Sequence, residues 1–318
     1  MKKYFIFLFV FSNILSFAQY SFTDIPGTDG TSINPYQIWT KEHLKEFGDS
    51  LASKHPPFNM SWCYDKHFRL MESIIEPITE SVGPLVGHFH GNGKKITLAT
   101  IFDYTTNPSV AIFSGLSHGS IDSLIADGYA NGVGGMAAIS NYISHSISSI
   151  TNCINNATVT GGAGITYTNS GTISNCINNG DITGVDRIGG IAGENSGTII
   201  NCINTGKITA TASGDNNIFS GVGGIVGTAA NGCVGILNCV NLGSVVGQGF
   251  VGGIVGLVRG MNRQTPITNC INYGYVRGIN GVGGILGYMF NQYVNVSNCV
   301  NVGVVEGEED TGSIVGKE

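Results

Sequence analysis

Charge is scarce in this chain. Only 11% of its 318 residues are charged, against about 25% in ordinary globular domains. A formal net charge of −6 offers no basic face for nucleic acid and no polybasic patch for an anionic membrane. Disorder is excluded as well, because 42% of the residues are hydrophobic and disordered chains combine low hydrophobicity with high net charge. Beyond the first residues no stretch of 18 apolar residues occurs that could span a bilayer. Acids are the most telling shortage. Between residues 130 and 305 there are only Asp181, Asp186, Glu194 and Asp215. What the chain has instead is glycine, 48 residues of it, mixed with Asn, Ile and Val, a composition for short strands joined by tight turns.

The first residues read as an address. Lys2 and Lys3 precede an apolar run from Tyr4 to Leu15, and Ser16-Phe17-Ala18 then offers small residues to a signal peptidase. Residues 1–18 are therefore expected to be a signal peptide, with the mature chain starting near Gln19, secreted or held at the cell surface. No Cys follows the cleavage site to carry a lipid, and no membrane insertion is expected after cleavage.

Internal repetition decides the architecture. Asn-Cys recurs at Cys153, Cys176, Cys202, Cys239, Cys270 and Cys299, with spacings of 23, 26, 37, 31 and 29 residues. Each copy continues with Ile or Val, then Asn (Asn155, Asn178, Asn204, Asn241, Asn272, Asn301) and usually Gly two residues on. A second block keeps step: Gly-Gly-Ile-Ala-Gly at 189–193, Gly-Gly-Ile-Val-Gly at 223–227 and 252–256, and Gly-Gly-Ile-Leu-Gly at 283–287. These pieces are too short and too rich in Gly for helices. Each can bury its Ile and Cys only against the same piece of the next unit. The expectation is an all-β, right-handed parallel β-helix with three strands per coil. Its solenoid spans 99–318 in about seven coils, on the order of 35 Å long at the strand spacing. Asn suits a fixed corner, since it tolerates αL backbone and its amides can stack along the axis.

These residues resemble the GLUG-motif repeats of bacterial secreted and surface proteins. The Gly-Gly-Ile-Val-Gly strand, the Gly-Thr-Ile-x-Asn-Cys strand and Asn-x-Gly are met from about residue 132 onward, with looser copies at 111–115 and 120–124. The resemblance implies an N-terminal α/β capping segment over 19–98. There Tyr36–Ile38 reads as a strand, Thr40 can N-cap a helix from Lys41 to about Leu51, and residues 87–96 read as a hairpin with an Asn92-Gly93 turn. Relatives commonly carry Asp where His90 stands, so no role of that Asp is carried over. Some members of the wider family place the repeat beside a zinc peptidase domain. Here, however, Lys41 to Glu46 lacks the second His of such a helix.

Catalytic chemistry finds little support. Glycoside hydrolysis needs two carboxylates at defined separation, and nothing repeats the Asp181/Asp186 pairing, which leaves these residues as solvated turns. No Gly-x-Ser-x-Gly elbow or Walker loop is present. His88 and His90 share a strand face and could hold a metal, but no third ligand is apparent, so no metal or cofactor is assigned. The six repeated Cys could bridge adjacent rungs as disulfides or fill a narrow interior as small hydrophobes; the core ladder is favoured. The Ile or Val after each Cys faces outward if alternation holds, and a corner at Asn leaves its side open.

The repeat is interrupted at one corner by loops over 228–235, 257–266 and 288–295. Arg259, Asn262, Arg263 and Gln264 lie in the second loop; Tyr288, Phe290, Asn291, Gln292 and Tyr293 lie in the third. Stacking of coils places the loops side by side, and aromatic rings with Asn, Gln and Arg suit a sugar or protein ligand. The reading is a non-catalytic, adhesin-like solenoid presenting a surface to a glycan or an extracellular host protein. An accessory module of a larger surface protein or peptidase is the alternative, and a polysaccharide-active enzyme is disfavoured. The final Gly-Ser-Ile-Val-Gly at 312–316 begins another coil, so either end-to-end self-association or a natural protein that continues beyond residue 318 is expected.

Overall fold

A computed structural model describes residues 20–52, 62–100, 111–211, 220–259, 264–290 and 293–317. The expected signal peptide lies outside the described residues. From Thr172 onward every coil follows one path, which the repeat containing Cys202 illustrates. Thr198–Ile200 lies in the first sheet, Ile203–Asn204, Ile208–Ala210 and Gly221–Gly223 make up a segmented side, and Val226–Ala229 lies in the second sheet. The first sheet has ten strands and the second nine, and every pairing in both is parallel between successive coils. Seven of those ten strands fall after residue 99. The chain is a parallel β-solenoid whose third face, from Thr172 onward, is broken into three short strands.

Register follows from what each strand must bury. Ile150, Ile173, Ile199, Ile236 and Ile267 stand opposite one another and are all fully buried, each worth roughly 1.5–3 kcal/mol against water. Two residues later the chain turns at Asn152, Asn175, Asn201, Asn238, Asn269 and Asn298, all in the αL region with φ between 52° and 56°. That corner shifts the alternation by one residue. The following Cys therefore points inward, the Ile or Val after it outward, and the next Asn inward. All eight cysteines are free thiols, and the repeated six form the column expected of a core ladder, only Cys299 being less than fully buried.

The inward Asn explains the Gly two residues on. Asn178 Nδ2 donates to the Gly180 carbonyl at 2.8 Å and to Asn204 Oδ1 at 2.7 Å, and the same pair of bonds recurs at Asn204, Asn241 and Asn272. The bend that permits this brings successive backbones so close that a Cβ at Gly206 would collide with the Gly180 carbonyl oxygen. A larger residue there would push the coils apart.

Residues 36–98 join the same sheets. Tyr36–Ile38, His67–Leu70 and His88–His90 are the first three strands of the ten-stranded sheet, so Ser120–Asp122 is its fourth strand, within a coil that has others before it. The expected hairpin is corrected by this pairing. Asn92 (φ 55°) and Gly93 (φ 68°) do make a turn, but His88–His90 and Lys95–Thr100 belong to different sheets. The turn is a corner of the coil. The helix Lys41–Ala52 starts where His43 N–H donates to Thr40 Oγ1 at 3.2 Å. Its Phe47 ring lies 4.3 Å from Phe68 and 6.2 Å from Phe89, whose ring in turn is 5.0 Å from Phe113. The helix thus covers the N-terminal end of the core with aromatic side chains. Among the described residues no helix is long and apolar enough to cross a membrane.

Candidate functional site

The corner from the second sheet to the first is tight in two coils and longer in the next three. In the tight ones a buried Asn caps the turn: Asn169 Oδ1 accepts from Gly171 N–H at 2.9 Å and Asn195 Oδ1 from Gly197 N–H at 3.2 Å. Asn169 Nδ2 also donates to Asn195 Oδ1 at 2.7 Å, and Asn195 Nδ2 lies 3.2 Å from Cys233 Sγ. Cys233, outside the repeated column, thus continues this short ladder where the corner lengthens. The longer connections run over 230–234, 259–264 and 290–293. They are shorter than the sequence suggested, because Thr228, Leu257, Thr265, Tyr288 and Val294 already lie in strands.

The candidate binding residues divide into two groups. Arg259 donates through Nη2 to Glu194 Oε2 at 3.2 Å, reaching back two coils. Glu194 also receives Arg187 Nη1 at 2.5 Å, Arg187 Nε bonds Asp186 Oδ2 at 2.9 Å, and the Arg187 guanidinium sits 5.4 Å from the Tyr167 ring centre. Arg259 is therefore engaged in an ion network with two acids. The second group is aromatic. Tyr288, on strand Leu286–Met289, stacks on Phe250 with ring centres 4.4 Å apart and 21° between planes, and Phe290 meets Tyr288 edge-on at 5.7 Å. Phe290 and Tyr293 are 40% and 45% exposed, which leaves apolar ring surface facing solvent. Tyr293 accepts through its carbonyl from Thr265 N–H at 2.8 Å, which ties the third loop to the second, and Gln264 is exposed just before that strand. Asn262, Arg263, Asn291 and Gln292 lie outside the described residues.

Phe250 was missing from the sequence reading. Its signal is the glycine opposite it: Gly281 has φ +63°, and a Cβ there would stand 2.7 Å from Phe250 Cδ1. The missing side chain leaves the notch in which the ring lies. In the second sheet Glu194, Thr228, Leu257 and Tyr288 follow one another in register, the middle two fully buried. Three strand spacings, roughly 14 Å, thus separate Glu194 from Tyr288, and Arg259 reaches across part of that distance.

At the other end of the rod, the outer face of the first sheet carries a histidine row. His67 pairs in register with His88 and His88 with Ser120, while Arg69 pairs with His90 and His90 with Asp122. Burial, and then the neighbouring imidazoles, hold His67 and His88 below the ordinary imidazole range. Burial raises Asp122, but its bond to His90 and nearby positive charge outweigh that and leave it below the usual carboxylate value.

No protein-family model matches the chain, and no curated protein matches it. One solved structure is similar. It is the crystal structure of a "putative immunoglobulin A1 protease" from Bacteroides ovatus, with a TM-score of 0.56 over 92% of this chain and 85% of that one, at 19% identity. At that identity the likeness shows a shared solenoid fold and nothing of the chemistry.

Proposed function

We propose that the chain is an exported, non-catalytic, adhesin-like solenoid of GLUG-like repeats that binds a glycan or an extracellular protein through the patch formed by Phe250, Tyr288 and Phe290, with Tyr293 at its edge. The stacked, part-exposed ring pair carries this reading. Aromatic faces give large contact area with few rotors to immobilise, and these rings stand on sheet strands that hold them in place before a ligand arrives. The acids support a non-catalytic role: Asp186 and Glu194 are paired with arginines and Asp181 accepts from Lys207 N–H at 2.9 Å. A screen of the mature protein against a glycan array and extracellular-matrix proteins should find a ligand. Tyr288→Ala with Phe290→Ala should then weaken it about tenfold or more, as for part-buried aromatic anchors, with the far coils unaffected. Unchanged affinity in that double variant would remove the patch from the proposal.

A second reading has one observation behind it, the shared fold with the Bacteroides ovatus protein. On that reading the chain is an accessory module of a surface peptidase. Incubation with immunoglobulin A1 tests the non-catalytic character that both readings share, since specific cleavage by the purified chain would overturn it.

A further inference from the structure

The histidine row contains an arrangement that the spacing of its members conceals. His67 Nδ1 and His90 Nε2, on neighbouring strands, face each other at 2.8 Å. Behind His90, its Nδ1 meets Asp122 Oδ2 at 2.7 Å. A carboxylate only accepts, so His90 carries its proton on Nδ1 and turns the lone pair of Nε2 toward His67. The His67 ring is held in plane as well. It lies 3° from parallel to His90 and stacks on His88 at 4.5 Å, and His88 Nδ1 is in turn bonded to Ser120 Oγ at 2.9 Å. Two imidazole nitrogens therefore converge on one point, one of them backed by a carboxylate, and all three histidines are only half-buried.

We propose that His67 Nδ1 and His90 Nε2 form a surface site for a borderline divalent transition-metal ion of the Zn²⁺, Ni²⁺ and Cu²⁺ class, with Asp122 orienting His90 from behind. Imidazole is the ligand this class prefers, and a carboxylate on the far nitrogen is the usual means of fixing tautomer and ring orientation in such sites. In the metal-free protein a proton occupies the gap. Binding moves that proton from His67 Nδ1 to His67 Nε2 by exchange with water, so the ring stays neutral, coordinates through Nδ1 and releases no net proton. Zinc–nitrogen bonds of about 2.0–2.1 Å in tetrahedral geometry set the nitrogens on the order of 3.3 Å apart and off the line that now joins them, so the rings must part by about half an ångström and turn toward the solvent side. Half-buried side chains can accommodate that. Among the described residues no three side chains already surround one point, so water completes the coordination and the ion exchanges readily. The site is independent of the aromatic patch at the far coils.

The test uses the mature protein without a polyhistidine tag. Calorimetric titration with Zn²⁺ and Ni²⁺ should show one equivalent bound. His67→Ala and His90→Ala should each lose about tenfold or more in affinity, and Asp122→Asn about tenfold, the range for a carboxylate behind a ligating His. His145→Ala, in the separate pair whose ring lies 3.8 Å from His118, should change nothing. Electron paramagnetic resonance of the wild type with Cu²⁺ gives a reading that does not depend on variant folding, and should show two coupled nitrogens. A spectrum without two nitrogens, or affinity that survives His90→Ala or falls in His145→Ala, overturns the site.

Discussion

Two asparagines three residues apart do different work in each coil. Asn201 is exposed and αL; its side chain donates along the surface to Asn175 Oδ1 at 3.2 Å. Asn204 is fully buried, and its amide both closes the bend at the Gly206 carbonyl and joins the coils on either side. Removing the first costs two exposed hydrogen bonds, since Asn238 Nδ2 also donates to Asn201 Oδ1 at 3.1 Å, and puts a residue less tolerant of αL at the corner, roughly 1–2 kcal/mol. Removing the second leaves the Gly206 carbonyl and Asn241 Oδ1 short of a donor and Asn178 Nδ2 short of an acceptor, each unmet buried group costing about 1–3 kcal/mol. Asn204→Ala should therefore destabilise by about 3 kcal/mol or more and Asn201→Ala by clearly less, measured by urea denaturation. Equal losses would show that the buried ladder is not what joins the coils.

At the scale of the element, the cysteine column, with Cys63 buried nearer the N-terminus, makes stability depend on alkaline pH. Burial pushes the Cys63 thiol up to about 11, and the neighbouring Cys239 thiol, with burial, raises Cys270 to about 12. Burial, with the adjacent thiols, holds Cys176, Cys202 and Cys239 well above their ordinary value. Unfolded thiols ionise near pH 8.5, so above that pH the unfolded chain holds fewer protons than the folded one. The stability these thiols confer is complete below about pH 8.5 and is lost as pH climbs toward 11–12, each costing about 1.4 kcal/mol per unit. Urea midpoints taken from pH 7 to 10 should be level at first and then fall, and a level profile throughout would mean that the column is not buried as neutral thiols. The column was legible in the sequence because Asn-Cys marks the phase of every coil from residue 152 onward. Before it no such marker exists. Asn92-Gly93 has the same turn chemistry at a coil corner as in a hairpin, and only the stacking partner tells the two apart. His67 and Asp122 were likewise invisible as the partners of His90. They flank it because coils of unequal length stack in register, and Phe250 escaped notice because its partner is the absent side chain of Gly281.

For the whole molecule the consequence is that stability is distributed along the axis. Each coil of a solenoid touches only its neighbours, so a defect should weaken the rod locally before it weakens it everywhere. Phe47 offers the sharpest test, since it is fully buried and belongs to the helix over the N-terminal end, packed against Phe22, Phe68 and Phe89. Truncating such a ring costs about 3–5 kcal/mol, which for a compact globular core would be felt throughout. Here Phe47→Ala should raise hydrogen exchange in the strands Tyr36–Ile38, His67–Leu70 and His88–His90, while Thr198–Ile200 and Thr265–Thr268, four or more coils away, keep their protection. Mass-resolved exchange at neutral pH distinguishes the outcomes directly. A uniform rise along the chain would mean that the rod opens as one cooperative unit and that nearest-neighbour stacking is the wrong description of it. A graded rise would also locate the proposed metal site in the least stable coils, so that an ion bound between His67 and His90 should protect those same strands.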